Sequence, residues 1–141
     1  MSFSNYTAQA LLNSLFGKTS AFGALASRPT LWVGLSTTTP AEDGTNVTEP
    51  SGGNYARVQT AAADWNAATN ADPSVVTNAN AVAFATASAS WAGGSNMTYA
   101  VVYDAETSGN YLGKGALGTP KPVLNGDTPS FAPGTITVSL T

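Results

Sequence analysis

Tyr99-Ala100-Val101-Val102-Tyr103, Asp104-Ala105-Glu106-Thr107-Ser108-Gly109-Asn110 and Tyr111-Leu112-Gly113-Lys114-Gly115-Ala116-Leu117 follow one another and set the fold class. The first run is dominated by aromatic and β-branched residues, which fit a pleated, half-buried surface. The second is made of turn formers: Asp and Asn fold their side chains back onto the local backbone, and Gly supplies positive φ. The third resumes the β pattern, so the three together predict an antiparallel hairpin. Gly113 and Gly115 fall on one face of its second strand, where they leave room for a close neighbour, a bulge or a large aromatic group from across the sheet.

The same logic extends outward from the hairpin. Downstream, Pro120 and Pro122 suit an edge strand, because proline has no N–H to give to a ladder. Asn125-Gly126 marks a tight turn, and Ile136, Val138 and Leu140 alternate with Thr135, Thr137, Ser139 and Thr141 as a half-buried final strand. Upstream, a strand is expected near 81–90, with Val82, Phe84 and Thr86 on one face and Ala81, Ala83 and Ala85 on the other. Leu31, Val33 and Leu35 alternate with Trp32, Gly34 and Ser36, and Tyr55-Ala56-Arg57-Val58 starts another short strand. Between these two, residues 37–54 carry prolines and glycines with almost no large apolar group. They predict a long exposed loop whose role is contact with another protein. Residues 61–73 favour neither state, since Ala61-Ala62-Ala63 supports helix and the Asn, Asp and Pro that follow break it.

One segment has helical periodicity. Within 5–16, Ala8, Leu11, Leu12 and Leu15 follow the i, i+3, i+4, i+7 stripe with Phe16 at its edge. Ser4 or Asn5 can cap the start, and Gly17 can supply the left-handed residue that closes the end. The stripe can pack on the domain's own core or on a second copy or neighbour. A single helix followed by about seven or eight short strands with Gly and Pro turns predicts a mainly β chain, a β-sandwich or jelly roll, in one domain spanning 1–141.

Only 9% of residues are charged, against roughly 25% in an average soluble protein, and the net charge is −3. The expected surface is polar but nearly neutral. Ile, Leu, Val and Phe number 26 of 141 residues, so the core is thin for the length and partners are expected to cover part of the surface. There is no Cys, which removes disulfides and thiolate chemistry. The N-terminus lacks a basic leader, and no apolar run approaches the roughly 20 residues that cross a bilayer. Asn-x-Thr triplets at 5, 46 and 96 carry no weight in a chain this rich in Asn and Thr. Five scattered bases form no patch for phosphates, so neither a membrane nor a nucleic-acid partner is expected.

The absence of His removes the commonest general base and metal ligand. No Ser-x-x-Lys stands beside Lys18, Lys114 or Lys121. Carboxylates remain, because glycoside hydrolysis needs two acids flanking a bond. Glu42-Asp43, Glu49, Asp104 and Glu106 are the candidates, yet Asp104 and Glu106 sit in a turn sequence where solvated turn residues are the simpler account. The acids lack calcium-loop spacing, and the glycines at 52–53, 93–94 and 113–115 lack phosphate-loop spacing. No catalytic residue, cofactor, metal or small-molecule ligand is therefore expected, and the chain is not expected to be an enzyme. Trp32, Trp65 and Trp91, with Tyr6, Tyr55, Tyr99, Tyr103 and Tyr111, could stack on sugar rings in an adhesin. Filling a core short of large side chains is the favoured role.

Leu31-Trp32-Val33-Gly34-Leu35-Ser36-Thr37 and Glu49-Pro50-Ser51-Gly52-Gly53-Asn54-Tyr55-Ala56-Arg57-Val58 resemble a family of small tailed-phage virion proteins. So do Val101–Ala105, Gly109–Leu112, Gly115–Leu117 and Gly126–Phe131, after an N-terminal helix like the one at 5–16. Members often carry a tail-fibre label, and within the family the chain is most similar to capsid cement, or decoration, proteins. That resemblance implies a jelly roll on the outer surface of a virion capsid, forming homodimers that bridge capsomers of the major capsid protein. It transfers no contact residues. Leu11, Leu12, Leu15 and Phe16 of the helix, and Pro40, Val47 and Pro50 of the loop, are the candidate partner contacts. A tail-tip or fibre adhesin binding a host surface glycan is the alternative.

Overall fold

The computed structural model describes residues 4–19 and 29–140. In chain order it contains helix α1 (Asn5–Leu15) and strands β1 (Leu31–Ser36), β2 (Val58–Thr60), β3 (Ser74–Thr77), β4 (Val82–Ala83), β5 (Asn96–Tyr103), β6 (Tyr111–Pro122), β7 (Ser130–Phe131) and β8 (Thr137–Leu140). The protein is mainly β with one short N-terminal helix, as its periodicity predicts, and its sheets are antiparallel. One sheet has the order β2-β1-β5-β6, while β3 pairs with β8 and β4 with β7. The chain divides into two compact units, Met1–Pro29 with Ala61–Ala81 and Phe131–Thr141, and Thr30–Thr60 with Val82–Ser130.

The second unit holds the four-stranded sheet. Its β5–β6 ladder is the expected hairpin, with Val101 opposite Lys114 and Tyr103 opposite Tyr111. Asp104 closes the turn: the Asn110 backbone N–H donates to its Oδ1 at 2.6 Å and the Asn110 side chain to its Oδ2 at 2.7 Å. β6 runs on through Pro120 and Pro122 at the sheet edge, the position a residue without an N–H tolerates. β1 lies between β2 and β5, and opposed residues of an antiparallel pair share a face. Gly34 and Val101 therefore look to one side, and Leu35 and Ala100 to the other. Leu31, Val33, Leu35, Val82, Phe84, Trp91, Met97, Val101 and Val123 are buried. Tyr55, Phe84 and Trp91 form a ring cluster with centroids 5.0 to 6.2 Å apart, and Trp91 Nε1 donates to Gly53 O at 2.8 Å, so the indole is buried without an orphan donor.

The first unit is organised by α1. Ser4 caps it, its Oγ accepting the Thr7 N–H at 3.3 Å, and Gly17 follows with φ 71°. Ala8, Leu12 and Phe16 are buried, and Phe16 meets Trp65 edge-on at 4.6 Å. β3 and β8 pair Val76 with Val138. Asn78, fully buried, joins three segments: its Nδ2 donates to Asn80 O and Ala132 O at 2.8 Å each, and its Oδ1 accepts the Ile136 N–H at 2.8 Å.

Several boundaries differ from the sequence expectations. The strand near 81–90 is ladder-paired only at Val82–Ala83. The alternation is real, with Val82 and Phe84 buried and Ala83 and Ala85 exposed, but Thr86 is exposed. Beyond the ladder the backbone is held by single bonds, Phe84 N–H to Pro129 O at 2.9 Å and Ala87 N–H to Asp127 O at 2.8 Å. β2 begins at Val58, not Tyr55, because the Tyr55 N–H closes a turn on Gly52 O. β3 was not expected, and the ambiguous 61–73 stretch contributes a 3-10 turn at Ala62–Asp64. A Cβ built on Gly113 or Gly115 meets nothing within 4 Å, so no aromatic from the described chain fills the room they leave.

Candidate functional site

The loop 37–54, expected to be exposed and to make contacts, is pinned along its length. Buried Ser36 is its anchor: its Oγ donates to Thr38 O at 2.9 Å and accepts the Thr48 N–H at 3.1 Å. Thr37 N–H reaches Thr48 O at 3.0 Å, Thr38 Oγ1 donates to Asn46 O at 2.6 Å, and Asn46 Nδ2 donates to Thr39 O at 2.8 Å. At the tip, Asp43 Oδ1 accepts both the N–H and the hydroxyl of Thr45, which holds the Asp43 carboxyl below its ordinary range. Gly44, φ 80°, lies on the Tyr111 ring, where a Cβ would come within 2.7 Å of Tyr111 Cβ. Lys114 of β6 reaches the loop, donating to Pro40 O at 2.6 Å and pairing with Glu42 at 2.7 Å; the Glu42 hydrogen bond raises the ammonium pKa. Pro40 and Pro50 are buried, so the loop is less exposed than its composition predicts.

An ionic lock fixes the far end of the loop. Glu49 Oε1 accepts from the Tyr55 hydroxyl at 2.5 Å, and that hydroxyl accepts the Leu35 N–H at 2.9 Å. Arg57 Nε donates to both Glu49 oxygens at 3.1 Å, and its Nη2 to Oε2 at 2.5 Å. The other arm, Nη1, donates to Ala105 O at 3.0 Å and Ser108 O at 2.7 Å, tying the loop to the β5–β6 turn. The guanidinium lies over Tyr103, 3.4 Å from its ring centroid. Burial pushes the Tyr55 hydroxyl far above its ordinary pKa and Glu49 pushes it further. For Arg57 burial acts downward, but the hydrogen bond and charge of Glu49 outweigh it and raise the value. All this depends on Gly34: a Cβ there would stand 2.6 Å from Glu49 Oε1 and 2.9 Å from the Tyr55 oxygen.

The candidate contact residues divide between the units. On α1, Leu12 and Phe16 are buried in their own unit, Leu15 is half-buried, and Leu11 keeps 38% of its surface. On the loop, Pro40 and Pro50 are buried and Val47 is half-buried. The sequence drew attention to Glu49–Val58 but not to the lock within it. The available signal was Tyr55 and Arg57 two residues apart, facing an acid across a Gly-Gly-Asn turn. Of the carboxylates, Glu49 is held by Tyr55 and Arg57, Glu42 by Lys114, Asp43 by Thr45 and Asp104 by Asn110. Among the described residues no group of three or more acids is placed to hold a metal ion. Trp65 and Trp91 are 1% and 0% exposed, whereas Tyr6 is 57% exposed.

The fold and its pinned polar loops do not by themselves name a class, and comparison with protein families supplies one. The family described as Podophage GP4 fiber I protein gp80 matches residues 2–139, and the chain belongs to it. It is thus a bacteriophage structural protein, a component of the virion. No curated protein matches the chain.

Proposed function

We propose that the protein is a capsid cement protein: a homodimer with a jelly-roll-type sandwich, bound to the major capsid protein on the outer surface of a tailed-phage shell. It bridges neighbouring capsomers, so its contacts must break before the shell yields to internal pressure. The observation that carries this is the pinned loop 37–54, in which Glu42 is paired with Lys114 and Glu49 with Arg57. A surface whose loops are already ordered loses little conformational entropy on docking. Contacts made through Thr, Asn, Gly and Ala avoid desolvating charges and depend little on salt. No reaction, cofactor or small ligand enters this role.

A fibre or tail-tip adhesin is the second reading, and the family's description as a fiber protein supports a fibre role. Glycan adhesion uses aromatic faces, and here Trp65 and Trp91 are turned inward while Arg57 covers Tyr103. Copy number separates the two. On a stained gel of purified virions, cement gives a band comparable in moles with the major capsid protein. A trace band in the range of a tail component overturns the proposal.

A further inference from the structure

Asn125-Gly126 is the only Asn-Gly pair in the chain, and it sits at an exposed turn. Such a pair can lose ammonia without any enzyme, because glycine has no Cβ to hinder the approach of its nitrogen to the asparagine side chain. The Gly126 nitrogen bonds to Asn125 Cγ, and the side-chain nitrogen leaves as ammonia, taking the proton that the glycine nitrogen gives up. Water then opens the cyclic imide at one carbonyl or the other, leaving aspartate or isoaspartate. The turn restrains the first step. The Asp127 N–H donates to Leu124 O at 3.0 Å, Asp127 Oδ2 accepts the Leu124 N–H at 2.8 Å, and Gly126 takes φ 92°. The Gly126 N–H, the group that must attack, donates to Ala87 O at 2.8 Å. Ala87 returns the pairing through its own N–H, 2.8 Å from Asp127 O, and is 2% exposed, so water does not compete for its carbonyl. Asp43-Gly44, the one Asp-Gly pair, is open to the same cyclisation and is held alike, with the Gly44 N–H on Ala41 O at 3.1 Å. Gly52 differs, since its N–H makes no hydrogen bond among the described residues.

We propose that Asn125 is a fold-gated modification site: the Gly126–Ala87 bond preserves the amide while the chain is folded, and release of 84–88 from 123–129 opens it to deamidation. The gate is made of few bonds, Phe84 N–H to Pro129 O, the Ala87 pair, and Trp91 N–H to Val123 O, so it opens as one local unit. Closing it again after reaction is another matter. Isoaspartate adds one carbon to the backbone between residues 125 and 126. The Gly126 N–H then cannot reach Ala87 O while Asp127 holds Leu124, and a chain that has stayed open is marked and excluded from the folded pool. An assembled virion makes no new protein, so a closed gate preserves this component for the life of the particle. The proposal is independent of the cement reading and holds for either placement in the virion.

Ser51→Asn supplies the comparison within one molecule. Ser51 is exposed, and the change places an asparagine before Gly52, whose N–H is unbonded, so the folded variant carries one gated and one ungated Asn-Gly pair. The full-length variant is incubated at mildly alkaline pH, folded and in urea, and tryptic peptides are followed by mass spectrometry, with isoaspartate scored by methyl transfer. Cleavage after Arg57 and Lys114 puts the two positions in different peptides. In urea both positions should convert. In the folded protein position 51 should convert, and Asn125 should do so at least about tenfold more slowly. In the wild-type protein, hydrogen exchange at the Gly126 amide should be slowed at least about tenfold relative to Gly52. On removal of urea, chains with isoaspartate at 125 should be depleted from the folded fraction. Folded-state conversion of Asn125 as fast as that of position 51 overturns the proposal. So does equal resistance at both positions, because protection would then belong to the fold as a whole and not to the Gly126 bond. Gly126 exchange as fast as that of Gly52, or isoaspartate at 125 equally abundant in the refolded fraction, overturns it too.

Discussion

Replacing Gly34 by Ala should destabilise the protein by about 2–3 kcal/mol, although the same change in an unhindered strand stabilises by roughly 0.5–1 kcal/mol. The new methyl would stand 2.6 Å from Glu49 Oε1, 2.9 Å from the Tyr55 oxygen and 3.2 Å from Val101 Cγ2. The carboxylate cannot swing away freely, because two nitrogens of Arg57 and the Tyr55 hydroxyl hold it. Either the methyl stays and the backbone of β1 shifts, an overpacking cost of about 1–3 kcal/mol, or Glu49 moves and a charge-assisted hydrogen bond worth about 1.5–3 kcal/mol is lost. Urea denaturation measures the difference. With a slope near ~1.5 kcal/mol per molar, the midpoint should fall by more than about 1 M. In a Glu49→Ala background the closest obstacle is gone, and the same glycine change should cost less than about 1 kcal/mol. A neutral or stabilising Gly34→Ala, or equal costs in the two backgrounds, would refute the packing of the lock on β1.

Other sites make independent tests. Arg57→Ala should cost about 3 kcal/mol in urea, because it leaves Glu49 uncompensated and frees the carbonyls of Ala105 and Ser108, and Arg57→Lys should recover less than half of that, since an ammonium cannot reproduce the fork. Asn78→Ala should cost about 3 kcal/mol by orphaning Asn80 O, Ala132 O and the Ile136 N–H; a loss below about 1 kcal/mol would mean that those groups find other partners. Tyr55 keeps its proton in the folded state at pH values where the unfolded chain, with an ordinary pKa of 10.0, loses it. Its contribution is therefore present below pH 10 and drains away above it, by about 1.4 kcal/mol per pH unit, so unfolding at pH 9 and 11 should show a shallower loss in Tyr55→Phe than in wild type. Ala92, with φ 49° in the turn at Trp91–Gly94, should gain roughly 1 kcal/mol when changed to Gly, seen as a raised melting temperature.

The hairpin at 99–117 and helix α1 were legible because each is specified locally, by period, cap and turn residues within one short window. Burial of Trp65 and Trp91 was also legible, since a chain poor in large apolar groups must bury those it has. β3 escaped because Ser74-Val75-Val76-Thr77 is too short to carry a period, and its ladder partner β8 lies some sixty residues downstream. The fixed geometry of 37–54 escaped for a related reason. Pro and Gly composition reports a lack of regular structure, not a lack of fixed structure, and the bonds from Ser36, Lys114 and Arg57 are side-chain contacts that leave no periodic trace. Glu49 looked like a spare carboxylate until its partners were placed around it. Gly34 read as one residue of a strand pattern, and its need to lack a side chain becomes visible only with Glu49 and Tyr55 above it.

Capsid cementing itself is tested most directly on shells. Virions stripped of this protein should lose resistance to heat or internal pressure, releasing DNA at a lower temperature than intact particles, and adding back the purified protein should restore the original release temperature. Stripped shells as robust as intact virions, or shells that bind the protein again without regaining resistance, would contradict the cement reading.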